Sequence, residues 1–205
     1  DLDNTLYPPE RQLFSLIDVR INRYMCEVVG IPSHEVDGLR RHYWQQYGVT
    51  LQGLIRHYDI DPEYYLTYVH DVDIPSRLAP DPDLRETLQE LPQRRMVFTN
   101  GSLCHANRVL STLGIDDLFE EIFDIRVAAY QPKPFPEPYQ AVLDTLGASA
   151  RECIMVEDSR ENLQTAKKLG MATVLVGTGD TPDYVDSHIP AVTRIGQTLQ
   201  TWSAA

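Results

Sequence analysis

Two carboxylates one residue apart open the chain, in Asp1-Leu2-Asp3-Asn4-Thr5-Leu6. On an extended backbone alternate side chains share a face, so Asp1 and Asp3 converge on one pocket if this stretch leaves a strand end. One acid then attacks an electrophile while the other handles a proton. The same residues also make a plain polar turn or helix cap. Thr99-Asn100-Gly101 offers a hydroxyl, an amide and open backbone N–H groups suited to a phosphoryl oxygen. It also reads as a strand-to-helix turn with Ser102 as the cap. Lys133 stands in Gln131-Pro132-Lys133-Pro134-Phe135-Pro136-Glu137-Pro138, where proline density stiffens the backbone. A fixed ammonium near paired carboxylates neutralises a nucleophile and a developing anion; the alternative is a solvated lysine on a rigid loop. Glu157-Asp158-Ser159 supplies oxygen ligands of the kind Mg²⁺ prefers, or else an acidic helix N-terminus.

These groups need a scaffold that ends them at one rim. Residues 7–80 read as helical throughout. Leu13, Phe14, Ile17, Ile21, Met25 and Val28 recur at helical spacing, closed by Gly30-Ile31-Pro32 with Ser33 as the next cap. Stripes through Val36, Leu39, Tyr43 and Tyr47 and through Leu51, Leu54, Ile55 and Tyr58 give two further helices, and Asp61-Pro62 caps a fourth. From Asp81 on, strand and helix alternate. Strands are predicted at 96–99, 122–127, 153–156 and 172–176, with an edge strand at 191–195 in an irregular tail running to Ala205. Helices are predicted at 81–91, 103–113, 138–146 and 162–169. Such alternation implies a parallel sheet covered on both faces, with strand-end residues at the carboxyl edge.

The four signals fall in order at or just past predicted strand ends. Together they resemble the haloacid dehalogenase-like hydrolase superfamily over nearly the whole chain. Asp1 to Leu6 is similar to its first motif, Thr99-Asn100-Gly101 to its second, and Lys133 among prolines to its third. Glu157-Asp158-Ser159 with Asn162-Leu163 is similar to its fourth. The resemblance implies an α/β fold: a parallel-sheet Rossmann-like core with helices on both faces plus an inserted all-helical cap. The core comprises residues 1–6 and 81–205, the cap residues 7–80. It further implies a Mg²⁺-dependent phosphatase. Asp1 is then the nucleophile and Asp3 the acid and base. Thr99, Asn100, Gly101 and Lys133 bind the phosphoryl group, and the metal lies on Asp1, the Asp3 backbone carbonyl and Asp158. Asn162 replaces an aspartate found in many members, so it serves as a neutral neighbour, and Glu157 contacts metal-bound water. A strand upstream of Asp1 is also implied, as the central strand of the sheet. Asp3 argues against carbon–halogen cleavage, which has no oxygen leaving group to protonate.

Substrate and partners are the finer level. Gly48-Val49-Thr50-Leu51-Gln52-Gly53-Leu54 and Tyr68-Val69-His70-Asp71-Val72 resemble the pyrimidine 5'-nucleotidase branch, which implies a nucleoside monophosphate substrate. Phosphoglycolate and sugar phosphates are the alternatives. Tyr43, Trp44, Tyr47, Tyr58, Tyr64, Tyr65 and Tyr68 mostly pack helices, with one or two free to stack on a planar leaving group. The six histidines form no ligand spacing, His70-Asp71 reads as a hinge lining, and Gly177-Thr178-Gly179-Asp180 reads as a loop. The 205 residues carry a net charge of −12, which argues against a nucleic-acid polymer or an anionic membrane as partner and leaves a small phosphorylated metabolite. Cys26, Cys104 and Cys153 are scattered and odd in number, as expected of reduced thiols in a cytoplasmic protein. No apolar run reaches the roughly 20 residues that span a bilayer. Oligomeric state is left open. Two rival classes share parts of this pattern: a receiver-like phospho-switch, which needs no helical insertion, and a non-catalytic binding protein, which has no need of all five polar groups.

Overall fold

A computed structural model describes residues 1–203. The first part is helical: α1 (Leu13–Arg23), a wide π-type turn (Tyr24–Val28), α2 (Ser33–Tyr47), α3 (Thr50–Tyr58) and α4 (Pro62–Val69). Then follow α5 (Pro82–Gln89), β1 (Met96–Phe98), α6 (Leu103–Leu113), β2 (Glu121–Phe123), α7 (Pro136–Leu146) and β3 (Ile154–Glu157). The chain continues with α8 (Arg160–Leu169), β4 (Ala172–Val176), β5 (Ser187–Ile189) and α9 (Ile195–Ser203). All strand pairs are parallel. β1 pairs with β2, and β3, β4 and β5 form a second ladder in that order.

Alternation along the strands explains the layers. Val97, Val174 and Val176 face a cluster built with α1 to α6 and α9. Phe98, Met155 and Leu175 face the opposite cluster, with Tyr139 and Val142 of α7 and Leu163 and Ala166 of α8. A period of two therefore feeds both faces, and helices cover each. The expected α/β class stands.

Local chemistry sets the boundaries. The Asp61 carboxylate accepts from Glu63 N and Asp81 from Leu84 N, each before a proline at the first helical turn. Ser33 is not a cap; it lies inside α2, whose N-cap is Pro32. The strand expected at 122–127 stops at Phe123, because the Asp124 side chain accepts from Arg126 N and turns the chain into a short 3₁₀ helix (Ile125–Ala128). The edge strand expected at 191–195 lies earlier, at Ser187–Ile189. Pro190 interrupts it, and residues 192–194 begin the approach to α9. Residues 204–205 of the predicted tail lie outside the described residues. Residues 177–180 form a loop, as expected. Among the described residues no helix is long and apolar enough to cross a membrane.

Candidate active site

Asp1 lies beside the end of β3, its backbone nitrogen donating to Val156 O at 2.9 Å. The following turn closes through Leu6 N to Leu2 O, with Asn4 at φ 61°, a left-handed conformation that asparagine tolerates. Thr5 is thereby folded back. Its hydroxyl donates to Asp1 Oδ2 at 3.0 Å and lies 3.3 Å from Asp158 Oδ1.

Lys133 is the electrostatic centre. Its side chain is 1% exposed, and Nζ donates to Asp1 Oδ1 (2.9 Å), Glu157 Oε2 (2.8 Å) and Phe98 O (2.8 Å). All three ammonium hydrogens thus have acceptors, as a buried lysine requires. Asn100 anchors the proline-rich loop: its Oδ1 accepts from Lys133 N at 2.8 Å and its Nδ2 donates to Lys133 O at 3.0 Å. Pro136 then starts α7.

Asp1, Glu157 and Asp158 place carboxylate oxygens within 4.8 Å of one another. Burial pushes the Glu157 carboxyl up, but the charge of Lys133 and the hydrogen bonds from its neighbours together hold it below its usual range. Asp158 is pushed up, by burial and then by its charged neighbour Glu157. Carboxylates outnumber the one ammonium here, and every donor in the cluster is oxygen. That set fits a hard divalent cation.

Asp3 belongs to a second group. Its Oδ1 accepts from Tyr7 OH at 2.5 Å and lies 2.8 Å from His105 Nε2. Burial raises the Asp3 carboxyl, yet His105 and the Tyr7 hydroxyl together bring it below the ordinary value. Acid–base catalysis is best served by a pKa near the working pH; the hydrogen bonds to the ionised form shift Asp3 the other way in the free protein.

The remaining sequence candidates line the same cavity of about 1010 Å³. Thr99 is buried, its hydroxyl accepting from Gly101 N at 2.9 Å. Ser102 caps α6, so the turn reading and the site reading both hold there. Asn162 lines the wall from the first turn of α8, its backbone carbonyl accepting from Tyr139 OH. Of the seven aromatics singled out, Trp44 and Tyr65 line the cavity. Tyr64, Tyr65 and Tyr68 pack around Tyr24, and Tyr43 stacks on His57. His70 caps the end of α4 and lines the cavity, while Asp71 pairs at the surface with Arg20. Thr5, Tyr7 and His105 escaped the sequence reading. His105 carried one signal: it occupies the first turn of a helix that starts directly after Thr99-Asn100-Gly101.

A parallel α/β fold with a buried lysine and clustered carboxylates at its strand ends defines an acidic pocket suited to carboxylate chemistry. The chain belongs to the haloacid dehalogenase-like hydrolases, whose family model matches residues 1–170. It is 30% identical over 190 residues to Phosphate metabolism protein 8 of Saccharomyces cerevisiae, covering 85% of this chain and 59% of that protein. Over 91 residues it is 35% identical to a phosphoglycolate phosphatase of Rhodospirillum rubrum, covering 44% of this chain and 37% of that one. The chain spans about half the length of the curated relatives it matches. In fold it is similar to a HAD phosphatase from Thermococcus onnurineus (TM-score 0.64, 20% identity, 96% of this chain and 94% of the other). It is also similar to an L-2-haloacid dehalogenase from Xanthobacter autotrophicus (TM-score 0.59, 18% identity, 91% and 92%). The fold thus serves more than one chemistry, and the site must decide between them.

Proposed function

We propose that the protein is a Mg²⁺-dependent phosphomonoesterase that works through an aspartyl-phosphate on Asp1. The observation that carries this reading is Asp1 held on buried Lys133 beside Asp158, with Asp3 lining the same cavity. The Asp1 carboxylate forms a bond to phosphorus as the bond to the leaving oxygen breaks, and Asp3 gives that oxygen a proton. Water then attacks phosphorus, the bond to Asp1 breaks, and Asp3 takes the proton of the water. Lys133 and Thr99 bind the phosphoryl oxygens. The Asp1 carboxylate, the Asp3 backbone carbonyl and Asp158 would hold Mg²⁺, which would supply positive charge against the charge developing on those oxygens. Glu157 keeps Lys133 in place. A phosphoryl dianion arriving beside Asp3 raises its pKa, the direction acid catalysis needs.

Residues 7–80 act as a cap over a core of residues 1–6 and 81–205. Helices α1 and α2 give the cavity Phe14, Ile17, Arg41 and Trp44, while the core gives the acids and Lys133. Trp44 is 58% exposed, an apolar ring offered to a planar leaving group. This feature and the ample cavity favour a nucleoside monophosphate, with pyrimidine nucleotides as the substrate. Phosphoglycolate is the competing substrate, favoured by the names of three relatives.

Turnover with uridine, cytidine and adenosine monophosphates beside phosphoglycolate tests the substrate; preference for phosphoglycolate overturns the nucleotide assignment. Asp1→Asn and Asp3→Asn test the mechanism, which fails if either keeps wild-type turnover. A phospho-enzyme lasting minutes identifies a switch instead, and absence of Mg²⁺-dependent turnover of an aryl phosphate identifies a binder.

A further inference from the structure

Among the described residues the acid–base carboxylate is gripped at one oxygen. Tyr7 OH and His105 Nε2 both contact Asp3 Oδ1, at 2.5 and 2.8 Å. Asp3 Oδ2 lies on the side of Gly101, 3.7 Å from where a side chain there would begin. Gly101 lines the cavity. Because an ionised carboxylate only accepts, Nε2 is the donor in the second bond. When Asp3 is protonated, an oxygen accepting two hydrogen bonds cannot also carry the hydroxyl, so the proton resides on Oδ2.

The mounting of His105 fits this task. The ring is fully buried on the first turn of α6 and stacks on His70, with centroids 4.6 Å apart and planes 20° apart. His70 is itself fixed, its Nδ1 lying 2.9 Å from Leu66 O and 3.1 Å from Ser102 Oγ. His105 Nδ1 is buried with no hydrogen-bond partner among the described residues. A histidine retained only for the core is normally satisfied at both nitrogens. Among the described residues Asp3 is the one hydrogen-bond partner of the imidazole. Tyr7 is 3% exposed and spends its hydroxyl on the same oxygen.

We infer that His105 and Tyr7 are positioning residues that lock Asp3 through Oδ1, so that Oδ2 alone delivers the proton to the leaving oxygen and later receives one from water. This rests on the acid–base role proposed for Asp3. In the first step the electron pair of the breaking P–O bond passes to the leaving oxygen, which takes the Oδ2 proton. Loosening Asp3 therefore harms poor leaving groups, which need that proton, far more than good ones, which leave as anions.

The test is kcat/KM, which reports the steps through P–O cleavage, for glycerol 3-phosphate and for p-nitrophenyl phosphate with Mg²⁺. It uses wild type, Tyr7→Phe, His105→Leu, His105→Gln and Asp3→Asn, each checked for native circular dichroism. Tyr7→Phe and His105→Leu are expected to lose about tenfold or more on glycerol 3-phosphate and less than about threefold on p-nitrophenyl phosphate. His105→Gln, which keeps a donor near Nε2, is expected to recover most of the loss. Should His105→Leu fail to fold, Tyr7→Phe decides. Equal losses on both substrates, or none, overturn the inference. If Asp3→Asn itself retains glycerol 3-phosphate turnover, the acid–base reading fails; if it is inactive while the other variants keep the wild-type ratio, only the positioning fails.

Discussion

Lys133 shows how one buried charge organises its surroundings. It bridges Asp1 and Glu157 with almost no solvent contact. Removing one partner of a buried ion pair leaves the others uncompensated, typically at a cost of about 3–5 kcal/mol. Lys133→Met is therefore expected to lower unfolding free energy by roughly that amount, measured in urea, and to abolish turnover. His70 carries a different liability. Burial first, and then the neighbouring His105, bring its pKa from 6.5 down to about 4. The unfolded histidine takes a proton as pH falls below 6.5, while the folded one resists until about 4. The stability tied to neutral His70 is thus complete above pH 6.5 and is lost as pH falls through 4. Between pH 7.5 and pH 5 wild type is expected to lose roughly 2 kcal/mol more than His70→Gln, read from urea midpoints. At this scale spacing pointed to Asp1 and Asp3, the preceding apolar runs to Thr99 and Asp158, and flanking prolines to Lys133, and the fold brings these candidates to one cavity. Thr5, Tyr7 and His105 stayed hidden because their partners depend on a turn geometry that residue type alone does not state.

Helix contacts carry their own constraints. A Cβ on Gly53 of α3 would lie 2.1 Å from the Tyr43 ring of α2. Alanine gains about 1 kcal/mol of helix propensity over glycine, but a clash of that depth forces the two helices apart. Gly53→Ala is expected to destabilise by about 1–3 kcal/mol in thermal or chemical unfolding despite its better propensity. Elsewhere Glu63 of α4 meets Arg126 and Tyr130, tying the helical block to the turn after β2. Periodicity and proline caps revealed α2 to α4 in the sequence, and short apolar runs revealed β1, β3 and β4. The end of β2 and the place of β5 differ from the sequence reading, since Asp124 turns the chain by a side-chain hydrogen bond and Pro190 lacks a ladder donor, neither of which hydropathy registers.

At the level of the whole molecule, three acids from opposite ends of the chain share one cavity with a single ammonium. A divalent cation that binds only the native arrangement stabilises it by mass action. Adding Mg²⁺ at a hundredfold excess over its Kd is expected to stabilise by roughly 2.7 kcal/mol. Asp158→Asn is expected to erase most of that rise in Tm. The parallel core was legible from alternating strand and helix. Which strands pair within it was not, because pairing partners are chosen by the assembled sheet.

The hydrogen bond from Lys133 to Asp1 bridges 132 positions of sequence. Contacts so distant form late, after the loops between them have closed. A nascent or refolding chain accordingly recovers its local helices while it is still chemically inert. After dilution from denaturant, hydrolytic activity should lag the far-ultraviolet helix signal and return with the slowest phase; simultaneous recovery would contradict this order of assembly.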